Sequence, residues 1–499
     1  MIKFSDKKWL NIGSLLEVFT FAIFLFIYYG LLWVKNTFDN VSIDLIIFNI
    51  LSPLDLARCG FEIRNNFIKQ VLGPTIVTLI FFIAVIYLFK KYNFYLSIKK
   101  FSIKLKLWIV YILFAFLILF ILLKYFSLIE YVRQQMDRTE IYSKYYIDPD
   151  KINFEFPDKK RNLIIIFLES MESSYLSKKE GGLFDENLIP ELTELARENI
   201  NFSNSDNIGG SLQINGVGWT MGALVGYLSG IPLSIPIQGN EYGNHLKFLP
   251  GVTTLMDILN KYGYRQVYMI GSDKNFAGRD KFFEQHGNVV VKDIQYFKDA
   301  GKLAKDYWVW WGFEDEKLYS FAKDELKDLS NSNIPFAFYM LTVDTHHMDG
   351  YVCRLCPNKH KEQYKNVLNC ASKQVYDFVE WIKKQSFYKN TTVIILGDHL
   401  FMNGSFFPQD TQITQRHPLN IFINSAKKPL SPKNRLFSTL DIFPSIFDSL
   451  GVEYNSDGLG LGRSLFKDTK TLIEVMGYDK LNEEVSKKSS EYKKFIKGK

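Results

Sequence analysis

Three runs near the N-terminus, Val18 to Val34, Val71 to Phe89 and Leu107 to Leu123, contain no charged residue. At about 1.5 Å per residue each would reach roughly 25 to 30 Å as a helix, close to the hydrocarbon thickness of a bilayer. Lys35, Lys90, Lys106 and Lys124 stand at their ends, where amines can snorkel to the membrane surface. Three membrane spans are therefore predicted. A fourth apolar patch, Ile43 to Leu56, is broken by Ser52 and Pro53 and holds Asp44 and Asp55, so it reads as interfacial or re-entrant. No small-residue cleavage site follows the first run, and the segment is expected to stay as an anchor.

Beyond the spans the pattern changes. Residues 126–160 are polar and aromatic, broken by Pro149 and Pro157, and read as a juxtamembrane linker. From Arg161 short β-rich runs (Leu163 to Leu168, Phe336 to Val343, Thr392 to Leu396) alternate with helical patterns (Ile189 to Glu198, Val375 to Lys384), the rhythm of an α/β domain. The predicted organisation is a transmembrane domain over 1–125, the linker over 126–160, an α/β catalytic domain over 161–477 and a solvated, Lys-rich tail over 478–499.

Charge adds an orientation. Lys90, Lys91, Lys99, Lys100, Lys104 and Lys106 crowd the loop between the second and third spans, and Lys3, Lys7 and Lys8 the N-terminus. Positive loops stay cytoplasmic, so everything after Leu123 is expected on the extracytoplasmic side of the membrane. The net charge of +7 over 499 residues is too small and too dispersed for nucleic acid to be a partner. Four cysteines exclude a disulfide-dense scaffold.

The candidate chemistry lies where predicted strands end. The apolar run Asn162 to Leu168 stops at Glu169-Ser170, and Thr391 to Leu396 stops at Gly397-Asp398-His399. Ligands of open α/β sheets bind at that carboxyl edge, and a Glu, Asp and His there suit one divalent ion: Zn²⁺, Mn²⁺ or Mg²⁺. In Gly216-Val-Gly-Trp-Thr220-Met-Gly, Thr220 is either a simple helix cap or a nucleophile whose hydroxyl a cation makes more acidic. Asp344-Thr-His346-His347 follows another strand; adjacent residues of an extended segment face opposite ways, which favours one histidine, His346, in a shared site. Arg279 is either a phosphate clamp or a surface ion pair. Glu172, Asp349, His245, His286 and His417 read as structural. Cys353, Cys356 and Cys370 form a Cys-x-x-Cys without a second pair; in an oxidising compartment a disulfide from Cys370 to one of the other two is expected rather than zinc.

The segments Leu-Glu169-Ser, Gly-Arg279-Asp280, Leu-Thr-Val-Asp344-Thr-His346-His347-x-Asp349-Gly350, Asp398-His399-Leu-x-Met-Asn403 and Leu459-Gly-Leu-Gly-Arg463-Ser464 carry a resemblance. Over about residues 162–403 the chain resembles the phosphoglycerol transferases of the alkaline phosphatase/sulfatase superfamily. That group includes lipoteichoic acid synthase and, closer to this sequence, the type I enzymes acting on osmoregulated periplasmic glucans, or membrane-derived oligosaccharides. The resemblance implies a mostly parallel mixed sheet flanked by helices, with one divalent ion held by Glu169, Thr220, Asp398 and His399. It further implies Thr220 as nucleophile and His346 with Arg279 on the glycerophosphate, His346 also serving in catalysis. Phosphatidylglycerol would be the donor and a periplasmic glucan or other envelope glycan the acceptor. The sequence departs from the synthases where their pocket has Asp and Trp: Ser272 and Ala277 stand there, leaving Asp273, beside Ser272, as a candidate substitute; His347 is a further candidate for substrate binding. The Cys-x-Pro-x-Arg motif of sulfatases is absent. Alternatives are phosphoethanolamine transfer, glycerophosphate polymerisation, or a non-catalytic sensor of anionic lipid.

Overall fold

The computed structural model describes residues 3–4, 12–38, 43, 46, 61–93, 95–98, 101–104, 108–126, 128–234 and 247–498. The patch at 43–56 therefore lies almost wholly outside the described residues, as do Cys59 and His245. The chain divides into two compact units, residues 1–46 with 59–133, and 47–58 with 134–499.

The first unit is helical. Helices α1 (Ile12–Thr37) and α2 (Gly73–Lys91) follow the first two charge-free runs. By length and composition Leu15–Thr37 and Arg64–Val85 can each cross a membrane. The third run forms α3 (Trp108–Tyr125), which bends by 74° into α4 (Leu128–Met136). Among the described residues that makes two candidate spans, or three if the bent pair is counted as one. Exposed Leu113, Phe116 and Phe120 on α3 fit a lipid environment, where apolar side chains need no protein cover.

The second unit is built on six strands: β1 (Asn162–Leu168), β2 (Arg265–Ile270), β3 (Val290–Lys292), β4 (Phe336–Leu341), β5 (Thr391–Gly397) and β6 (Asn420–Ile423). Their order is β6-β5-β1-β4-β2-β3, with only β6 antiparallel to its neighbour. The central strands are buried along nearly their whole length because helices cover both faces. Alternate residues Ile164, Ile166, Met340, Val393 and Ile395 meet Leu192 and Leu195 of α5 (Pro190–Glu198), Leu318 and Leu326 of α8 (Asp315–Ser330), and Val375 and Phe378 of α9 (Gln363–Lys383). The opposite face meets α6 (Thr220–Ser229) and α7 (Arg279–Gln285): Phe167 lies 5.9 Å from Tyr227, and Tyr268 stacks at 3.8 Å on Phe283.

Two segments behave differently from expectation. Residues 478–499, read as a solvated tail, contain α11 (Tyr478–Ser486) and α12 (Ser490–Lys497), which follow α10 (Ile442–Ser449). Leu481, Val485, Tyr492 and Phe495 are buried. Their spacings of four and three residues place each pair on one helix side, a pattern masked by the surrounding Lys and Glu. The linker joins the same layer: Tyr142 packs edge-on against Tyr492 and Phe495, and Phe154–Glu155 pairs with Glu453–Tyr454. From about Thr139 the linker is part of the globular unit.

Candidate active site

Register brings the ligands together. Leu168 pairs with Gly397 on adjacent parallel strands, so Glu169 and Asp398 leave the sheet side by side. Phe167 pairs with Leu341, and Leu341 with Ile270, so the segments leading to His346 and Arg279 start from the same edge. Ser170 then links two of the ends. Its N–H donates to Asp398 Oδ1 at 2.7 Å, its hydroxyl donates to Glu169 Oε1 at 2.8 Å, and its φ of +52° is a left-handed turn held by those bonds. Thr342 and Thr345 fix Glu169 from behind, the former accepting from its N–H and the latter donating to its carbonyl.

Thr220 arrives from α6 as its first residue, one place inside the helix after the Trp219 cap. Gly216 holds φ at +85°, and a Cβ on Gly222 would fall 2.4 Å from the Gly216 carbonyl, so the glycines permit the tight approach that delivers Thr220. Thr220 Oγ1 lies 3.3 Å from Glu169 Oε2 and 3.5 Å from His399 Nε2. His399 Nε2 lies 3.3 Å from Glu169 Oε1 and 3.5 Å from Asp398 Oδ2.

The donor set fits a divalent ion. Ligand atoms of Glu169, Asp398 and His399 lie within 4.8 Å of one another, and all three residues are buried. Asp398 Oδ2 has no hydrogen-bond partner. His399 Nδ1 faces the Leu400 carbonyl at 2.8 Å, which leaves Nε2 with a lone pair toward the cluster. Without an ion the groups perturb one another. Burial disfavours the Asp398 carboxylate and the Glu169 charge adds to that, pushing Asp398 up to about 7. Burial alone would lower His399, but Asp398 and Glu169 outweigh it and raise the imidazole to about 10. Burial also acts against the Glu169 carboxylate, yet the charges of His346 and His399 hold it down to about 2. The two carboxyls thus move in opposite directions, with Glu169 kept ionised by the histidines and Asp398 the carboxyl that more readily holds a proton.

His346 sits at the rim of this cluster, partly exposed, its ring 4.3 Å from that of Trp311 and its Nδ1 against the His347 carbonyl. Burial lowers its pKa, although the Glu169 charge opposes the shift. The structure does not bring His347 to the cluster: it turns inward, buried and edge-on to Phe401 at 5.5 Å. Arg279 is a buried residue rather than a surface one. Its Nε donates to the Phe276 carbonyl and its Nη2 to the Asp273 carbonyl at 2.8 Å, and its charge is felt at Tyr268 and His346. Asp273 is not drawn inward; its carboxylate closes a turn by accepting from Asn275. Glu172 is fully buried against Arg416, and His286 pairs with Asp257 at 2.8 Å. Cys356 and Cys370 form a disulfide. Ser170 and Trp311 were not singled out by sequence reasoning. Ser170 stood in plain view beside Glu169, whereas nothing local marks Trp311.

A buried Glu, Asp and His with a half-buried Thr at the carboxyl end of a mostly parallel sheet define an α/β domain with a candidate metal site, on a chain with membrane-spanning helices. The family model described as Sulfatase matches residues 161–452, and the chain belongs to this family. Among curated relatives, phosphoglycerol transferase I of Escherichia coli O6:K15:H31 (strain 536 / UPEC) is 30% identical over 347 residues, 66% of this chain and 42% of that protein. The Shigella flexneri protein of that name is 31% identical over 350 residues, again 66% and 42%. The chain thus spans less than half the length of these relatives. In fold it is similar to an alkaline phosphatase superfamily protein from Vibrio parahaemolyticus (TM-score 0.51, 21% identity, 66% of this chain and 76% of that one). It is also similar to the lipoteichoic acid synthase LtaP from Listeria monocytogenes (TM-score 0.50, 19% identity, 66% and 81%). The integral membrane phosphoethanolamine transferase EptA from Neisseria meningitidis aligns over 89% of this chain and 85% of its own (TM-score 0.50, 13% identity).

Proposed function

We propose that this protein is a membrane-anchored phosphotransferase that moves phosphoglycerol from phosphatidylglycerol to a hydroxyl of a periplasmic glucan or other envelope glycan, releasing diacylglycerol. The observation that carries the reading is the meeting of Thr220 with Glu169 and His399, and of His399 with Glu169 and Asp398, at 3.3 to 3.5 Å. The relatives at 30–31% identity supply the phosphoglycerol class. The lysine-rich loop between the second and third runs supplies the orientation, with the α/β domain outside the inner membrane.

Glu169, Asp398, His399 and the Thr220 hydroxyl would hold one divalent ion, which supplies a lowered hydroxyl pKa and neutralises charge at phosphorus. Thr220 Oγ1 attacks phosphorus in line, forming a Thr220–phosphoglycerol ester as the bond to the diacylglycerol oxygen breaks. Its proton leaves toward Glu169 Oε2, which accepts from the Thr220 hydroxyl at 3.3 Å. The first N–H groups of α6 and the Arg279 guanidinium stabilise the equatorial oxygens. The imidazolium form of His346, made more acidic by burial and placed at the rim, gives its proton to the departing oxygen, and the neutral imidazole left behind takes one from the glycan hydroxyl, which displaces Thr220.

The test is to incubate the purified protein with phosphatidylglycerol labelled in the headgroup and a glucan acceptor, separating lipid, glycan and water-soluble products. Label should pass to the glycan, and mass spectrometry of a quenched reaction without acceptor should find phosphoglycerol on Thr220. Full turnover by Thr220→Ala would refute the covalent step. A phosphoethanolamine adduct from a mixed-lipid incubation would reassign the donor.

A further inference from the structure

Away from the strand ends, three sulfurs meet beneath the loop that follows His346. Cys356 and Cys370 are bonded, tying that loop to α9. Cys353 keeps its thiol in the interior, with Sγ 3.6 Å from Cys356 Sγ and 3.8 Å from Cys370 Sγ. These two spacings have a chemical meaning. Thiolates on one tetrahedral zinc ion, each about 2.3 Å from the metal, sit about 3.8 Å from one another. Two edges of the sulfur triangle already match. Exchange of Cys353 into the disulfide is the other chemistry open to three sulfurs, but displacement at sulfur needs attack along the S–S axis. A thiol nearly equidistant from both sulfurs lies beside that axis.

Two donors face the sulfurs. Gln374, one turn after Cys370 on α9, brings its Nε2 to 3.4 Å from Cys370 Sγ and 3.8 Å from Cys353 Sγ. It is 9% exposed, and its Oε1 is buried without a hydrogen-bond partner. The Leu355 N–H faces the Cys353 sulfur, and the Cys356 N–H donates to the Cys353 carbonyl at 3.1 Å, so the Cys-x-x-Cys segment is a tight turn with both sulfurs on one side. Burial, with Asp344, Glu316 and Asp315 nearby, pushes the Cys353 thiol up. Asp344 itself is buried with neither carboxylate oxygen hydrogen-bonded. A buried cluster tolerates three thiolates only with a cation among them.

We propose that Cys353, Cys356 and Cys370, once reduced, form a site for one thiophilic divalent ion of the zinc class, with the Gln374 Nε2 donating to the thiolate sulfurs. The Cys356–Cys370 disulfide is the oxidised form of the same cluster. A dithiol reductant supplies two electrons and two protons to open that bond and is left as its own disulfide. Binding of the ion then releases three thiol protons to solvent.

Co²⁺ titration of the full-length protein tests this, before and after treatment with a phosphine reductant. Reduced protein should bind one ion more than oxidised protein and show a sulfur-to-cobalt charge-transfer band, which the oxygen and nitrogen donors at the strand ends cannot produce. Cys353→Ser, which leaves the disulfide pair intact, should lose both the band and the extra ion. Equal stoichiometry without the band in reduced wild type, or an undiminished band in Cys353→Ser, would overturn the proposal. Should reduction loosen the loop, Zn²⁺ must protect all three cysteines from iodoacetamide and raise the melting temperature; absence of protection rejects the site.

Discussion

Replacing Arg416 by Met probes the brace behind the metal cluster. Arg416 donates through Nε to Glu172 Oε2 at 3.1 Å, through Nη2 to Glu172 Oε1, and through Nη2 to the Phe401 carbonyl at 2.7 Å, with its guanidinium over Phe407. Glu172 Oε1 also accepts from the Phe401 N–H at 2.7 Å, so the brace grips both backbone groups of a residue two places after His399. Glu172 is 0% exposed. Met preserves much of the stem packing but strands that carboxylate with one donor. Breaking a buried pair from one side costs about 3 to 5 kcal/mol. For a unit of this size, at about 2 °C per kcal/mol, the melting temperature should drop by about 6 to 10 °C. Because Phe401 is released, divalent-ion affinity should also fall by about tenfold, as for groups that orient metal ligands. The assay is a thermal melt of the detergent-purified protein by near-ultraviolet circular dichroism, with calorimetric ion titration. Glu172→Gln combined with Arg416→Met removes the stranded charge and should recover most of the loss. A single variant melting within about 2 °C of wild type, or a double variant no better than the single, would refute the reasoning.

Three further outcomes follow from the site. Ser170→Ala removes the hydroxyl bond to Glu169 Oε1 and should weaken ion binding by about 10- to 100-fold. Ser170→Gly should weaken it equally yet melt higher than Ser170→Ala, since Gly accepts a φ of +52° without cost, and calorimetry with melting curves reads both. In ion-free protein, His399 raised to about 10 contributes stability that is complete below its unfolded value of 6.5 and lost as pH climbs toward 10. Asp398 raised to about 7 adds a penalty that grows as pH rises from 3.8, so both groups predict a melting temperature that falls from pH 6 to 9. Added divalent ion, which binds the deprotonated ligands, should flatten that slope; a rise in the ion-free protein would contradict it. Gly222→Ala should cost about 1 to 3 kcal/mol and displace Thr220, read as a lower melting temperature and lost transfer, because its Cβ would meet the Gly216 carbonyl at 2.4 Å.

Much of the site was legible because buried parallel strands announce themselves as unbroken apolar runs, and whatever follows such a run lies at the sheet's edge. Glu169 and Asp398-His399 were found that way. His347 and Asp273 were misplaced for a local reason. Neighbouring residues compete for one site, and which side chain wins depends on the turn: Asp273 satisfies the Asn275 N–H, and His347 fills a gap beside Phe401. The terminal helices were missed because four apolar residues in a Lys-rich stretch have meaning only against a partner surface, here the linker residue Tyr142.

From sequence alone come the charge-free helices, the α/β rhythm and the identity of the strand-end residues, since hydrophobic periodicity and charge exclusion are properties of short windows of chain. Tertiary structure alone decided that Leu168 pairs with Gly397, that Thr220 reaches across from another segment, and that Cys353 approaches both bonded sulfurs. Those are contacts between distant positions, set by strand register and helix packing, and no local window of residues carries them.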